Sequence, residues 1–273
     1  MTNKIKVGIT GCAGRMGQAL MQQVAAHERC TLSGGSERAE SEAIGLDLGE
    51  LAGFGSLGLT VSHDTLSVFE TADVVLDFTS PSAATQHAIM AAETGTAWVA
   101  GTTGLESKEE AAIVDAASKT AIVRAANMSI GINLLLALTE QVASILGPDF
   151  DIDILEMHHR HKVDAPSGTA LALGQAAAAG RDVSHDDVAD RGRDGITGQR
   201  RRGDIGYAVL RGGNVAGEHS AIFAADNERI ELTHKATDRA IFARGAITAA
   251  LWLKGKGPGL YSMMDVLGLE NLA

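Results

Sequence analysis

The stretch KIKVGITGCAGRMG, Lys4 to Gly17, decides how the rest of the chain is read. Lys4 to Thr10 is a short β-branched run that ends in glycines, which predicts a strand. Arg15 to Glu28 carries Met16, Leu20 and Val24 on one face, which predicts a helix. Between them Gly8, Gly11, Gly14 and Gly17 recur at intervals of three. Glycines there permit a tight turn and let backbone approach a pyrophosphate, and the helix start offers unpaired N–H groups with a partial positive charge. The spacing Gly11-x-x-Gly14-x-x-Gly17 departs from the usual G-x-G-x-x-G fingerprint, and the strand–turn–helix context is what strengthens it. A tight turn with no ligand is the plainer alternative.

If the loop holds a dinucleotide, an acidic residue is expected after the next strand, about 20 residues on. Thr31 to Gly34 reads as that strand, and Glu37 follows with Arg38 beside it. A carboxylate binds the 2′-hydroxyl of NAD; a guanidinium binds the 2′-phosphate of NADP. The two together point to either cofactor, or else form an exposed ion pair. Arg15 is placed to reach a phosphate. Residues 39–72 are punctuated by Gly45, Gly49, Gly53, Gly55 and Gly58, which argue for turns with one strand near Leu59 to Ser62.

Beyond them, strands are expected at Val74 to Phe78, Ala97 to Gly101 and Ala121 to Ala125. Ser80 and Pro81 read as N-cap and first helical residue, and a second helix spans Ser107 to Ser118. Strands alternating with helices imply a parallel sheet covered on both faces. Gly101, Thr102 and Thr103 lie on the C-terminal edge of that sheet, where ligands bind in such folds. The style changes near Asn127. Gly131 to Leu146 is apolar nearly all round and is expected to be a buried helix. Asp151 to Met157 alternates as a strand, and Thr169 to Ala179 is a helix closed by Gly180. Arg181 to Asp204 is expected to be a long surface loop. Strands follow at Gly206 to Leu210, Ser220 to Ala224 and Arg229 to His234, then an apolar helix at Ile241 to Leu253.

The chain has 273 residues, 45% hydrophobic and 21% charged, as soluble globular proteins do. A net charge of −11 opposes nucleic acid and anionic membranes as partners, so an anionic ligand needs a local cationic pocket. There is no apolar signal core, and no run approaches the roughly 18 apolar residues of a membrane span. Cys12 and Cys30 match neither a disulfide framework nor a zinc pattern, so the cytoplasm is the expected compartment.

The chemistry concentrates in EMHHRHKVDAPSGTAL, Glu156 to Leu171. Its three histidines lack metal spacing: there is no H-E-x-x-H and no supporting cysteine or acidic cluster. Ser167, Gly168 and Thr169 open a helix and present N–H groups and two hydroxyls near Lys162, a cradle sized for a carboxylate. A histidine beside it exchanges a proton near neutral pH. A capped helix with solvated histidines would use the same residues.

This stretch, E-x-H-H-x-x-K-x-D-A-P-S-G-T-A, resembles the signature of the dihydrodipicolinate reductases of bacterial lysine biosynthesis, also called 4-hydroxy-tetrahydrodipicolinate reductases. The resemblance extends to GCAGRMG, Glu37-Arg38, DFTSP (Asp77 to Pro81), GTTG (Gly101 to Gly104), AANMSIG (Ala125 to Gly131), GEH (Gly217 to His219) and the C-terminal helix. It implies an α/β fold: a Rossmann-like parallel-sheet domain, 1–126 and 240–273, with an inserted α+β substrate domain, 127–239, that carries a mixed sheet and builds a homotetramer. It implies reduction of a small cyclic dicarboxylate by NADPH or NADH with loss of water, and domain closure near Asn127. His158 would be the proton donor or acceptor and Lys162 a second proton donor. His159, Gly168 and Thr169 would hold substrate carboxylate, with Arg239 a further candidate. Gly11, Cys12, Ala13, Gly14, Arg15, Met16, Glu37, Arg38, Gly101, Thr102, Thr103, Ala125, Ala126, Asn127 and Met128 would contact cofactor. No metal is implied. Departures are Cys12 in place of a small residue, Met128 where an aromatic is common, and a short segment after Gly180. A homoserine- or sugar-dehydrogenase relative would share the first half but not the His-Lys-Asp-Ala-Pro-Ser-Gly-Thr run. A dinucleotide-sensing regulator would need a basic DNA-binding module, and the basic cluster Arg200 to Arg202 reads as solvated loop.

Overall fold

The computed structural model describes residues 4–270 and 272. Residues 1–3, 271 and 273, at the ends of the expected first domain, lie outside the described residues. Among the described residues the strands are β1 (Ile5–Thr10), β2 (Cys30–Ser36), β3 (Val61–Ser62), β4 (Val74–Asp77), β5 (Ala97–Ala100), β6 (Ala121–Arg124), β7 (Asp151–His158), β8 (Ala189–Asp190), β9 (Ile205–Arg211), β10 (Gly217–Ala224), β11 (Arg229–Ala236) and β12 (Gly259–Tyr261). The described residues form two compact units, 4–129 with 240–267, and 130–239 with 268–270 and 272.

In the first unit seven parallel strands run in the order β12-β6-β5-β4-β1-β2-β3. The order reverses between β1 and β4, the point where such sheets bind ligands at their C-terminal ends. Alternation along the strands sends side chains to two cores. Val7, Ile9, Leu76, Val99 and Val123 pack under the helices Arg15–Ala26 and Ala240–Leu253, whereas Val75, Trp98 and Ile122 pack under Pro81–Thr94 and Ser107–Ala117. Each fully buried aliphatic side chain contributes about 1.5–3 kcal/mol relative to exposure, so this double burial is what keeps the strands apolar throughout.

The turn-rich stretch 39–72 contains two helices as well as turns, Leu48–Ala52 and Thr65–Thr71. Their signals are Asp47, which accepts from Gly49 N and Glu50 N, and Asp64, which accepts from Ser67 N at 3.2 Å. The chain end adds β12 and the helix Met263–Leu267, both unexpected.

In the second unit a mixed five-stranded sheet runs β11-β10-β7-β9-β8, with β7–β9 and β8–β9 parallel and the other pairs antiparallel. Helices Ile130–Leu146 and Gly168–Gly180 pack on it through Leu135, Ala143, Leu173 and Ala177. Ile130–Leu146 is not buried all round, as its composition predicts: Leu134 is 40% and Ile145 72% exposed. With its short 3-10 extension to Asp149 it has the length and mean hydropathy of a membrane span, although Asn133, Thr139, Glu140 and Gln141 interrupt its apolar residues, and its packing is that of a core helix. Gly180 does not close its helix as a left-handed cap. It is the last helical residue, and a Cβ there would stand 2.1 Å from Glu140 O, so glycine allows the two helices to touch. The 181–204 segment contains a short helix, His185–Val188, and β8. Arg200 is not solvated: it pairs with Asp153 at 2.8 Å and donates to Ile152 O and Asp204 O, while Arg201 and Arg202 are mostly exposed.

Candidate active site

Where β1 ends, Gly11 takes φ +64° and the loop turns straight into the helix Arg15–Ala26, whose N-cap Gly14 supplies no side-chain cap. The first-turn N–H groups therefore stay available to an anion. A Cβ on Gly17 would stand 2.2 Å from Gly11 O and 2.6 Å from Cys12 Cα, so the helix seats against the loop only because position 17 is bare. Glu37, just past β2, turns back to this loop: Oε1 accepts from Ala13 N at 3.0 Å and Oε2 from Arg38 N at 3.3 Å. The Arg38 and Arg15 side chains are exposed. Cys12 is fully buried against Gly35, and burial, reinforced by Glu37, pushes its thiol up to about 12. The thiol is inert, and only the backbone of residue 12 is left for a ligand.

A cavity of about 280 Å³ is lined by Met16, Gly101, Thr102, Thr103, Ala126, Asn127 and Met128, and also by Phe78, Thr79 and Phe242. Gly11 to Arg15, Glu37, Arg38 and Ala125 lie outside its lining. Thr102 Oγ1 is buried there without a partner, as a hydroxyl awaiting a ligand would be. Bare glycines in the loop, an uncapped helix start, a carboxylate beside the loop and an orphaned hydroxyl together fit a dinucleotide. Thr79 is fixed from below. Its hydroxyl and N–H donate to Asp77 Oδ1 at 2.6 and 3.0 Å, and the other Asp77 oxygen pairs with His87 at 2.7 Å. Burial pushes the Asp77 carboxyl up, but the bonds from His87 and Thr79 outweigh it and hold it below the usual range.

In the second unit, β7 sends Ile152, Ile154, Glu156 and His158 to its covered face. The last two continue an apolar row with charge, so they must be paired. Glu156, 1% exposed, lies 2.5 Å from His158 Nδ1, accepts from Ser167 N at 3.0 Å, and takes both Nη atoms of Arg211 at 2.8 and 2.9 Å. Burial pushes Glu156 up; the bonds from Arg211, His158 and Ser167 more than offset it and hold the carboxyl low. Ser167 caps the helix Gly168–Gly180 by accepting from Ala170 N at 3.2 Å, and the space around Gly168 is open. Lys162 is not a free cation beside this cradle: its Nζ pairs with Asp164 at 2.8 Å. His159 lies beside Arg239, 3.5 Å from Nη2 to Nε2, and its Nδ1 is buried without a partner. Desolvation first, then Arg239, lowers its pKa. Among the described residues no three His, Cys, Asp or Glu side chains are grouped to hold a metal.

His219, in the GEH motif, occupies a core position on β10. Its Nε2 meets Ser167 Oγ at 3.1 Å, and its ring stands edge-on to His158 at 5.0 Å. Burial, then the neighbouring His158, pulls it down to about 4. A histidine free in the unfolded chain at about 6.5 but protonated only near 4 when folded makes the unfolded state bind more protons between those values. Stability is therefore expected to fall as pH drops from about 6.5 towards 4, by up to about 3 kcal/mol from this group. Urea unfolding at both ends of that window should show a shallower loss in His219→Asn than in the parent; equal losses would contradict the assignment.

Set beside known proteins, residues 5–128 match the dihydrodipicolinate reductase N-terminus and residues 131–267 the dihydrodipicolinate reductase C-terminus. The chain belongs to the dihydrodipicolinate reductase family. It is 54% identical over 261 residues to the 4-hydroxy-tetrahydrodipicolinate reductase of Dinoroseobacter shibae, covering 96% of this chain and 97% of that one. With the enzyme of the same name from Brucella abortus it shares 54% identity over 264 residues, 96% and 98% of the two chains. The dipicolinate-bound dihydrodipicolinate reductase of Paenisporosarcina sp. TG-14 has the same fold, with a TM-score of 0.77 at 23% identity over 96% of this chain and 98% of that one. Membership of the dihydrodipicolinate reductases makes the chain an oxidoreductase with a nicotinamide cofactor.

Several residues of this reductase's site are not singled out by sequence reasoning. Phe78 and Thr79 stand within the DFTSP motif, and Glu156 opens the long signature, so a signal was present for each. Arg211 has none: it reaches Glu156 because β9 runs parallel to β7 with Arg211 in register with His158.

Proposed function

We propose that the chain catalyses the NADH- or NADPH-dependent reduction of 4-hydroxy-tetrahydrodipicolinate to tetrahydrodipicolinate, with loss of water, in lysine and diaminopimelate biosynthesis. The observation that carries this reading is the Glu156–His158 pair built onto the same carboxylate, 3.0 Å from Ser167 N, that anchors an open helix start. Relatives of the same name at 54% identity support it.

A doubly negative ring needs fixed positive groups. The N–H groups and hydroxyl at Gly168 and Thr169 take one carboxylate, helped by His159 with Arg239 at its side. When bound, the nicotinamide cofactor supplies a hydride to the ring. Loss of the ring hydroxyl as water takes a proton from the neighbouring ring carbon and gives one to the leaving oxygen, and the charge left on the ring after hydride addition is quenched by a further proton. His158 gives or takes one at Nε2, because Nδ1 is committed to Glu156. Lys162, paired with Asp164 at 2.8 Å, is the second donor. On the cofactor side Gly11 to Met16 would cradle the pyrophosphate, Glu37 would accept from the ribose 2′-hydroxyl and Arg38 would take a 2′-phosphate. Gly101 to Thr103 and Ala125 to Met128 flank the nicotinamide end.

The homotetramer is also part of this reading. In the second unit, Leu134 and Ile145 stay exposed and β11 alternates exposed with half-buried residues, leaving surface for further copies. The −11 charge favours neither nucleic acid nor an anionic membrane, and the cytoplasm suits a biosynthetic enzyme. The test is a side-by-side titration of NADH and NADPH with the product of the preceding synthase as substrate. Oxidation of both is expected; oxidation of neither would overturn the reading.

A further inference from the structure

We infer that Arg211 is a positioning residue for the reaction: with Glu156 it fixes His158 in the one tautomer that presents Nε2 to the substrate. This rests on the reading of His158 as the proton-exchanging group.

An ionised carboxylate only accepts hydrogen bonds, and it has about four lone-pair positions. Those of Glu156 are filled by Arg211 Nη1 and Nη2, Ser167 N and His158 Nδ1. The fork of Arg211 spans both oxygens, a geometry that an ammonium cannot reproduce. Facing an acceptor, Nδ1 must carry its hydrogen, so in the neutral ring Nε2 is bare, and in the imidazolium Nε2–H is the proton to give. Position 217 keeps that nitrogen open, since a Cβ on Gly217 would stand 3.1 Å from it. Arg211 does a second thing at once. Its Nη2 donates to Asp164 O at 2.7 Å, and Asp164 holds Lys162 at 2.8 Å. One guanidinium thus ties the partner of the first proton-exchanging group to the segment that carries the second.

The groups that face His158 are Glu156 on its own strand, Arg211 on β9 through that carboxylate, His219 on β10 and His159 in the turn that follows, with Lys162 of that turn acting on His159 and His219. Of these, Glu156 alone is an anion in contact with the ring. Replacing it by glutamine leaves a side chain that also donates, and an amide N–H facing Nδ1 shifts the ring hydrogen to Nε2, the wrong nitrogen for a base.

The test combines one measurement on the parent protein with four variants. Nitrogen-15 shifts of the imidazoles should show the neutral His158 ring with its hydrogen on Nδ1. Glu156→Gln and Arg211→Met should each lower kcat by about 10- to 100-fold and leave NADH affinity within about twofold, and in Glu156→Gln the same nitrogen-15 shifts should show the neutral ring with its hydrogen moved to Nε2. Arg211→Lys should recover part of kcat. A parent ring with its hydrogen on Nε2 would overturn the inference. So would kcat per folded molecule and a ring tautomer both unchanged in Glu156→Gln, the result of a merely structural role, and this arm stands even where Arg211→Met fails to fold. Full activity in His158→Gln would instead remove the reading beneath it, and the two failures are told apart by that variant alone.

Discussion

Turnover is expected to fall by about 10⁴-fold or more when His158→Gln and Lys162→Ala are combined, while affinity for NADH stays within about twofold. Each residue supplies a proton the reaction needs, and a positioned acid or base is worth about 10²–10⁴ in rate. Neither change should unfold the chain. Glutamine can still donate to Glu156, and the Asp164 carboxylate left by Lys162→Ala is 54% exposed, so losing that partner costs little. Steady-state loss of reduced-nicotinamide absorbance, with a fluorescence titration of NADH alongside, reads both quantities. A double variant within tenfold of the parent would remove both residues from the chemistry.

The second large effect lies in the first unit. Gly17→Ala should raise the Kd for NADH by about 100-fold or more and cost about 1–3 kcal/mol of stability. The added methyl would meet backbone, Gly11 O at 2.2 Å and Cys12 Cα at 2.6 Å, and backbone cannot rotate away as a long side chain can. Cys12 cannot retreat, being fully buried against Gly35. The loop must therefore open, and the phosphate-facing N–H groups move with it. Calorimetric titration with NADH and urea unfolding of the same variant measure the two consequences. A variant with parental affinity would show that the glycine loop does not shape the cofactor site.

How far these features were legible in the chain depends on how local their causes are. β1, the glycine turn and the helix after it are dictated by adjacent residues, and so was Ser80-Pro81 at the start of the next helix. The Glu37 carboxylate was legible because the strand–turn–helix unit sets its distance from the loop. Leu48–Ala52 and Thr65–Thr71 were hidden by glycine density, although Asp47 and Asp64 marked their starts. The helix does end at Gly180, but the packing reason for a glycine there, the close approach to Glu140 O of a neighbouring helix, is not legible in its own segment. Arg211 and His219 could not be found by spacing. They join the site through strand register, His158 with Arg211 and Glu156 with His219, and register is a property of the folded sheet. The Lys162–Asp164 pair joins residues two apart, and residue types alone do not say where a flexible ammonium turns.

At the centre of this account is a cyclic dicarboxylate held by the second unit at the start of the helix Gly168–Gly180. A crystal of the chain grown with pyridine-2,6-dicarboxylate tests it most directly. One carboxylate should lie against the N–H groups of Gly168 and Thr169, with the ring within reach of His158 Nε2 and His159. Ligand density away from Thr169, with that helix start left to solvent, would contradict it.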